Sequence, residues 1–278
     1  MHPLPQIVRR LFENLSRTRG GDFLCRPVAQ RLHDRLSVIE LSVDSLIDVG
    51  CGRGCDLDAL RQRFTGAFVV GMDCAYAPLV AAQFSGIGHS AVLCGNAEAM
   101  PFSPESFNLV WSNMMLHWAG DIGTVLANWH QMLRRDGLLL FSCLGYGSLH
   151  NLYQAFTGID GYDHLISFPD FQQLGDALVQ VGFPAPVLER EWLEFTYQDV
   201  RVLLRDLQSL GGNPLETRRL GLMGKETFAR LLDELEALRN GDGLIPLRFE
   251  VIVAHAFKEK LQDKVGDIGH ERTVTFYR

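Results

Sequence analysis

A short apolar strand that runs straight into alternating glycines and then into a helix constrains this chain more than any other feature. Leu46-Ile47-Asp48-Val49 leads into Gly50-Cys51-Gly52-Arg53-Gly54, and helical spacing follows over residues 56–64. In an open α/β sheet, ligands bind beyond the carboxyl ends of the strands, at the topological switch point. Glycines there adopt positive φ and let the backbone approach a ligand. A plain strand–helix turn needs one glycine, not three at alternate positions. A dinucleotide loop wants glycines at its first, third and sixth positions. Counted from Gly50, the third is Gly52 but the sixth is Cys55, so that spacing fails.

The rhythm continues through the first half of the chain. Strands are expected over 67–72 (running into Asp73), 91–94, 107–112 and 138–144, with helices over 78–84 and 122–133. Arg135-Asp136-Gly137 reads as a turn into the strand at 138–144. Strands alternating with helices give a parallel sheet covered on both faces, and right-handed crossovers leave few topologies. Two short helices, over 7–19 and 26–37, come first, the second with Val28, Leu32 and Leu36 at helical spacing. After residue 145 the order changes: helices near 149–156 and 171–181, a strand over 187–195, helices over 199–209 and 225–239, and a last strand over 247–257. The expectation is a doubly wound α/β fold, a mostly parallel seven-stranded sheet with an antiparallel edge. We expect a single domain: a helical cap over 1–40, a ligand-binding core over 45–145, and 146–278 supplying a helical lid insertion and the final strands.

Composition narrows the class. Of the 278 residues 47% are hydrophobic, enough for a substantial core, yet no apolar run approaches the roughly 18–20 residues that span a bilayer. The first ten residues are too short and polar for a signal peptide. Cys25, Cys51, Cys55, Cys74, Cys94 and Cys143 are scattered without a second ligand pair of zinc-like spacing. They are expected as buried or loop thiols in a reducing cytosol, with no metal site. A net charge of −7 argues against a nucleic-acid binder. The charge is uneven, however. Residues 1–35 hold Arg9, Arg10, Arg17, Arg19, Arg26, Arg31 and Arg35 against Glu13, Asp22 and Asp34, a local +4. That stretch is either a solvated helical face or a docking patch for an acidic partner.

The glycine loop resembles the first motif of class I S-adenosylmethionine methyltransferases, and further motifs follow in order across residues 46–144. Asp73 stands at the strand end where that family's acidic residue binds both ribose hydroxyls. Asn96-Ala97-Glu98-Ala99-Met100-Pro101-Phe102 is similar to the loop that edges the adenine, with Asn96 where an aspartate is commoner. An amide offers an acceptor as a carboxylate does. Ser112-Asn113-Met114-Met115-Leu116-His117-Trp118 is similar to the motif beside the methionine end of the cofactor. The resemblance therefore implies a Rossmann-like methyltransferase fold, S-adenosylmethionine as cofactor and S-adenosylhomocysteine as product. It implies a cofactor set of Asp48, Gly50, Gly52, Gly54, Asp73, Asn96, Ala97, Glu98 and Asn113, Asp48 orienting the loop or reaching the methionine amino group. The nucleoside carries no phosphate, in keeping with the missing P-loop lysine.

Fold does not name the acceptor; the flanks do. Leu116-His117-Trp118, Gly147-Ser148-Leu149, Asp206 to Gly212, Arg218 to Lys225, Asp242 to Leu247 and Phe249 to Lys258 resemble the malonyl-acyl-carrier-protein O-methyltransferases of biotin synthesis. The resemblance implies a malonyl-acyl carrier protein as substrate and a cytoplasmic enzyme, and leaves the oligomeric state open. Asp22-Phe23-Leu24 and the Asp206-Leu207-Gln208 stretch also resemble a methyltransferase-like assembly factor of mitochondrial complex I, associated with arginine hydroxylation. That likeness, and action on another small molecule, are the alternatives. A malonyl carboxylate, with a pKa of about 4, is ionised at pH 7 and attacks without a general base. No catalytic triad is expected, only a donor to hold the carboxylate. Arg201, Arg218, Arg219, Lys225 and His117 are the candidates, arginine being favoured because its fork matches two oxygens.

Overall fold

The strand before the glycine loop is buried along its whole length, as a central strand with both faces covered must be. The structure, a computed structural model, describes residues 3–15, 22–84 and 90–259. Helices α1 (Pro5–Leu15) and α2 (Asp22–Ser37) lead into β1 (Ser45–Val49), α3 (Leu57–Arg63), β2 (Phe68–Asp73) and α4 (Tyr76–Phe84). Next come β3 (Ser90–Cys94), β4 (Phe107–Ser112), a 3-10 turn at Leu116–Trp118, α5 (Ile122–Met132) and β5 (Leu133–Leu144). The second half runs α6 (His150–Phe156), α7 (Phe171–Gln180), β6 (Val187–Tyr197), α8 (Val200–Ser209), α9 (Lys225–Glu236) and β7 (Ile245–Phe257).

The seven strands form one sheet in the order β3-β2-β1-β4-β5-β7-β6. The first five are parallel, and β7 inserts antiparallel between β5 and β6. Period-two alternation sorts the strand side chains into two cores. Leu46, Leu109, Trp111, Leu138 and Leu140 face one layer, together with residues of α2, α3, α6, α8 and α9. Ile47, Val110, Leu139 and Phe141 face the other, under α5 and α7. Strand order reverses between β1 and β4, so the crevice at their carboxyl ends is the switch point.

Three expectations need correction. The helix expected from residue 26 starts at Asp22, because Leu24 continues the fully buried Val28, Leu32, Leu36 stripe one turn earlier. Its neighbour, expected over 7–19, spans Pro5–Leu15, and residues 16–21 lie outside the described residues. Arg135-Asp136-Gly137 is an irregularity inside β5, not a turn before it. Leu133 already pairs with Phe107, and Asp136 N–H donates to Lys258 O at 3.0 Å, so the ladder runs through while the register shifts.

The edge strand β6 protects itself with charge. Arg31 and Arg35 of α2 pair with its Glu191 and Glu189, so these two arginines brace the fold. Among the described residues no helix is long and apolar enough to cross a membrane.

Candidate functional site

The loop after β1 folds back on β2. Gly50 and Cys51 N–H both donate to Met72 O, at 2.7 and 3.0 Å. Gly50 sits at φ +81°, and a Cβ there would lie 2.4 Å from Met115 Cγ, so only glycine fits against the segment after β4. Gly52, at φ +52°, has nothing within 4 Å of an added Cβ: it faces open space. Gly54 packs behind the loop against Ala82 and is not part of the cavity wall.

That open space belongs to a cavity of about 1170 Å³. Its wall brings together Asp48, Gly50, Gly52, Asp73, Asn96, Ala97, Glu98, Asn113 and His117. Asp73 ends β2 with each oxygen accepting one backbone N–H, Oδ2 from Gly52 and Oδ1 from Ala75, both at 2.9 Å. Each oxygen keeps a lone pair for a further donor. Asn96 Oδ1 accepts from Glu98 N–H at 3.0 Å, and Glu98 Oε1 accepts from Gly120 N–H at 2.7 Å. Asn113 is held on both sides: Oδ1 accepts from Ser142 Oγ at 2.8 Å, and Nδ2 donates to Cys25 O at 3.1 Å.

The electrostatics of this end are negative. Burial, with Asp56 and Asp73 nearby, pushes the Asp48 carboxyl well above its ordinary value. Burial likewise raises Asp73, against the pull of its two N–H donors. Carboxylates around a glycine loop repel phosphate and favour a cationic, hydroxyl-bearing ligand. The sulfonium, ammonium and ribose diol of S-adenosylmethionine fit these acceptors.

His117 is 4% exposed, with Nδ1 accepting Leu144 N–H at 3.3 Å. Burial pushes its pKa down to about 3. The ring is therefore neutral at every pH at which an enzyme of this kind works.

Arg201, Arg218, Arg219 and Lys225 are absent from the described cavity wall. Arg218 Nη1 donates to Leu215 O at 2.8 Å, and Arg219 Nε donates to Leu222 O at 3.1 Å, so both turn back on their own loop. The wall instead includes Arg9 from the basic stretch on α1, together with Phe156, His164, Phe168 and Met223 from the second half, which the sequence did not single out. The one signal that could have found His164 is an aspartate, Asp160, four residues before it.

Residues 47–141 match the family described as "Methyltransferase domain". The malonyl-[acyl-carrier protein] O-methyltransferase of Gallionella capsiferriformans is 39% identical over 245 residues, 84% of each chain. That of Laribacter hongkongensis is 36% identical, covering 90% of this chain and 88% of its own. The solved YcgJ protein of Bacillus subtilis shares the fold at a TM-score of 0.62 and 14% identity, covering 84% of this chain and 99% of that one. Identities of 36–39% over 84–90% of the chain point to one origin: the chain belongs to the S-adenosylmethionine-dependent malonyl-[acyl-carrier protein] O-methyltransferase family.

Proposed function

We propose that this methyltransferase esterifies the free carboxylate of a malonyl thioester carried by an acyl carrier protein, a reaction of biotin synthesis. One observation carries the reading beyond family membership. The cavity is continuous from the acidic glycine loop to an apolar chamber under α6, α8 and α9, and its buried imidazole is neutral. About 1170 Å³ exceeds the roughly 300–1,000 Å³ of a typical single-ligand pocket, leaving room for an acceptor beside the cofactor. An acceptor that arrives ionised needs no base.

In this reading Asp73 holds the ribose hydroxyls, Asn96, Ala97 and Glu98 edge the adenine, and Asp48 with Asn113 orients the methionine end. Gly50, Gly52 and Gly54 shape the loop that lets the backbone come close. The bound cofactor supplies an electrophilic methyl group on sulfur. With the cofactor bound, one carboxylate oxygen would take that methyl while the carbon–sulfur electron pair stays on sulfur. The protein contributes in-line placement, worth up to roughly 7–11 kcal/mol in ideal cases, and exclusion of water around the nucleophile. Helices α1 and α2 act as a cap, and α6 to α9 as a lid, over the single core. Six free thiols suit a reducing cytosol.

Transfer of labelled methyl from S-adenosylmethionine to malonyl-carrier protein tests the reading, with malonyl-CoA and a phenolic acceptor as comparisons. Label appearing as an alkali-labile ester on the malonyl group is expected. Label found only on the phenol, or on protein arginine, overturns it.

A pH profile tests the base-free chemistry. At saturating substrate kcat should stay nearly flat from about pH 6.5 to 8.5, because His117 is neutral throughout that range. His117→Ala should lower the rate through lost packing against Phe168 and Trp118 while leaving the shape of the profile unchanged. A steep rise through pH 7 that vanishes in the variant would make His117 a base and the acceptor a hydroxyl.

A further inference from the structure

Four groups on the described cavity wall bear or take up positive charge: Arg9, Arg53, His117 and His164. The two arginines are exposed, and burial keeps His117 neutral. His164 is built differently. Its side chain is 15% exposed, and its ring stacks on Phe156 with centroids 4.5 Å apart. Nε2 donates to Asp160 Oδ1 at 2.8 Å. Asp160 also accepts from Tyr162 N–H at 3.1 Å and faces Arg219 Nη1 at 3.5 Å. Against the upward pull of burial, these donors hold the Asp160 carboxyl below its ordinary value. Among the described residues Nδ1 of His164 has no hydrogen-bond partner.

We infer that His164, oriented by Asp160, grips the carboxylate of the methyl acceptor and so selects acidic acceptors, an inference that rests on the function proposed above. With the Nε2 proton committed to Asp160, Nδ1 is an acceptor in the neutral ring and a donor in the charged one. Arg219 offsets the charge of Asp160, so a second carboxylate entering the cavity meets no net repulsion there. In the charged ring both nitrogens donate, Nε2–H to Asp160 and Nδ1–H to one acceptor oxygen in a charge-assisted bond. The other oxygen is left for the methyl carbon. Esterification removes the negative charge, and the neutral ester loses its anchor. Stacking on Phe156 fixes the plane of the ring, so the held oxygen has a defined direction. Arg219 acts only through Asp160, which gives one of the arginines expected from the sequence a positioning role at one remove from the cavity.

Binding separates this role from a structural one. With S-adenosylhomocysteine present, affinities are measured for a malonyl thioester and for its methyl ester, alongside kcat and KM. The wild type should prefer the acid by about tenfold or more, and His164→Gln should bind acid and ester alike. In His164→Gln, KM for the malonyl thioester should rise about tenfold while kcat changes less than about threefold. Asp160→Asn, which keeps the shape but not the charge, should lose part of the same preference. Affinity for S-adenosylhomocysteine should be unchanged in both variants. An undiminished preference for the acid in His164→Gln, or equal weakening of acid, ester and S-adenosylhomocysteine, overturns the inference. A wild type that methylates no malonyl thioester overturns the proposed function, and this inference with it.

Discussion

Gly52→Leu abolishes binding of S-adenosylmethionine and of S-adenosylhomocysteine while leaving the chain folded. The two consequences separate because the Gly52 Cβ position is empty for 4 Å around. The new Cβ meets no protein atom, and the side chain beyond it extends into the cavity beside Asp73 that the ligand needs. The fold bears only the strain of a non-glycine residue at φ +52°, about 1–2 kcal/mol. Gly50→Ala gives the opposite pattern. Its Cβ would meet Met115 Cγ at 2.4 Å, so the loop and the segment after β4 must part, and the melting temperature falls first. Asp73→Ala should weaken cofactor binding by about 1–3 kcal/mol through loss of charged hydrogen bonds to the ribose. Asp73→Asn, which keeps one acceptor oxygen, should lose less. Calorimetry with both ligands checks all four variants. Unchanged affinity in Gly52→Leu and Asp73→Ala would mean that the ligand does not lie on this loop.

These effects rest on the part of the chain that was legible in its sequence. The glycine loop, Asp73, Asn96 and Asn113 are recognisable because local chain geometry places them, each at the end of a strand on the same edge of the sheet. The sheet itself was legible for a similar reason: buried strands alternate between two cores, and the sequence carries that alternation. The acceptor side was not. Its wall is assembled from α1, α6, the segment after α6, α8 and α9, elements far apart in sequence whose facing residues depend on how the helices pack. Arg218 and Arg219 looked like carboxylate ligands because they are arginines in the right segment. Nearby carbonyl oxygens satisfy them instead. His164 looked like an ordinary loop residue until packing placed Asp160 behind it and the cavity in front.

The same sorting bears on the basic N-terminus and on how a carrier protein docks. Of its seven arginines, Arg31 and Arg35 are tied to β6, Arg9 lines the cavity near Glu13, and Arg17 and Arg19 lie outside the described residues. Arg10 remains exposed on α1 and Arg26 on α2, and Lys225 is exposed at the first turn of α9, beside the exposed Leu222 on the cavity wall. Neighbours of Arg10 and Lys225, namely Arg9 and Leu222, line the one cavity. On the function proposed above, a carrier protein acidic along the helix beside its phosphopantetheine arm would be steered toward such cations before its arm enters. Steering acts on the encounter rate and weakens as the screening length shortens from about 10 Å at 0.1 M salt to about 3 Å at 1 M. Reversing Arg10 and Lys225 to glutamate together should lower kcat/KM toward malonyl-carrier protein by about tenfold at low salt. The loss should fall almost wholly on the carrier-protein substrate, with malonyl-CoA turned over nearly as before. Rising salt should bring variant and wild type together. Stability should hold, since Arg10 is exposed and an acid at the first turn of α9 suits the helix dipole. Stopped-flow association and steady-state kinetics on both substrates, with a melting curve, give the answer. Equal loss on both substrates would mean that the two reversals disturb the cavity, and no loss on either would move the docking surface away from Arg10 and Lys225.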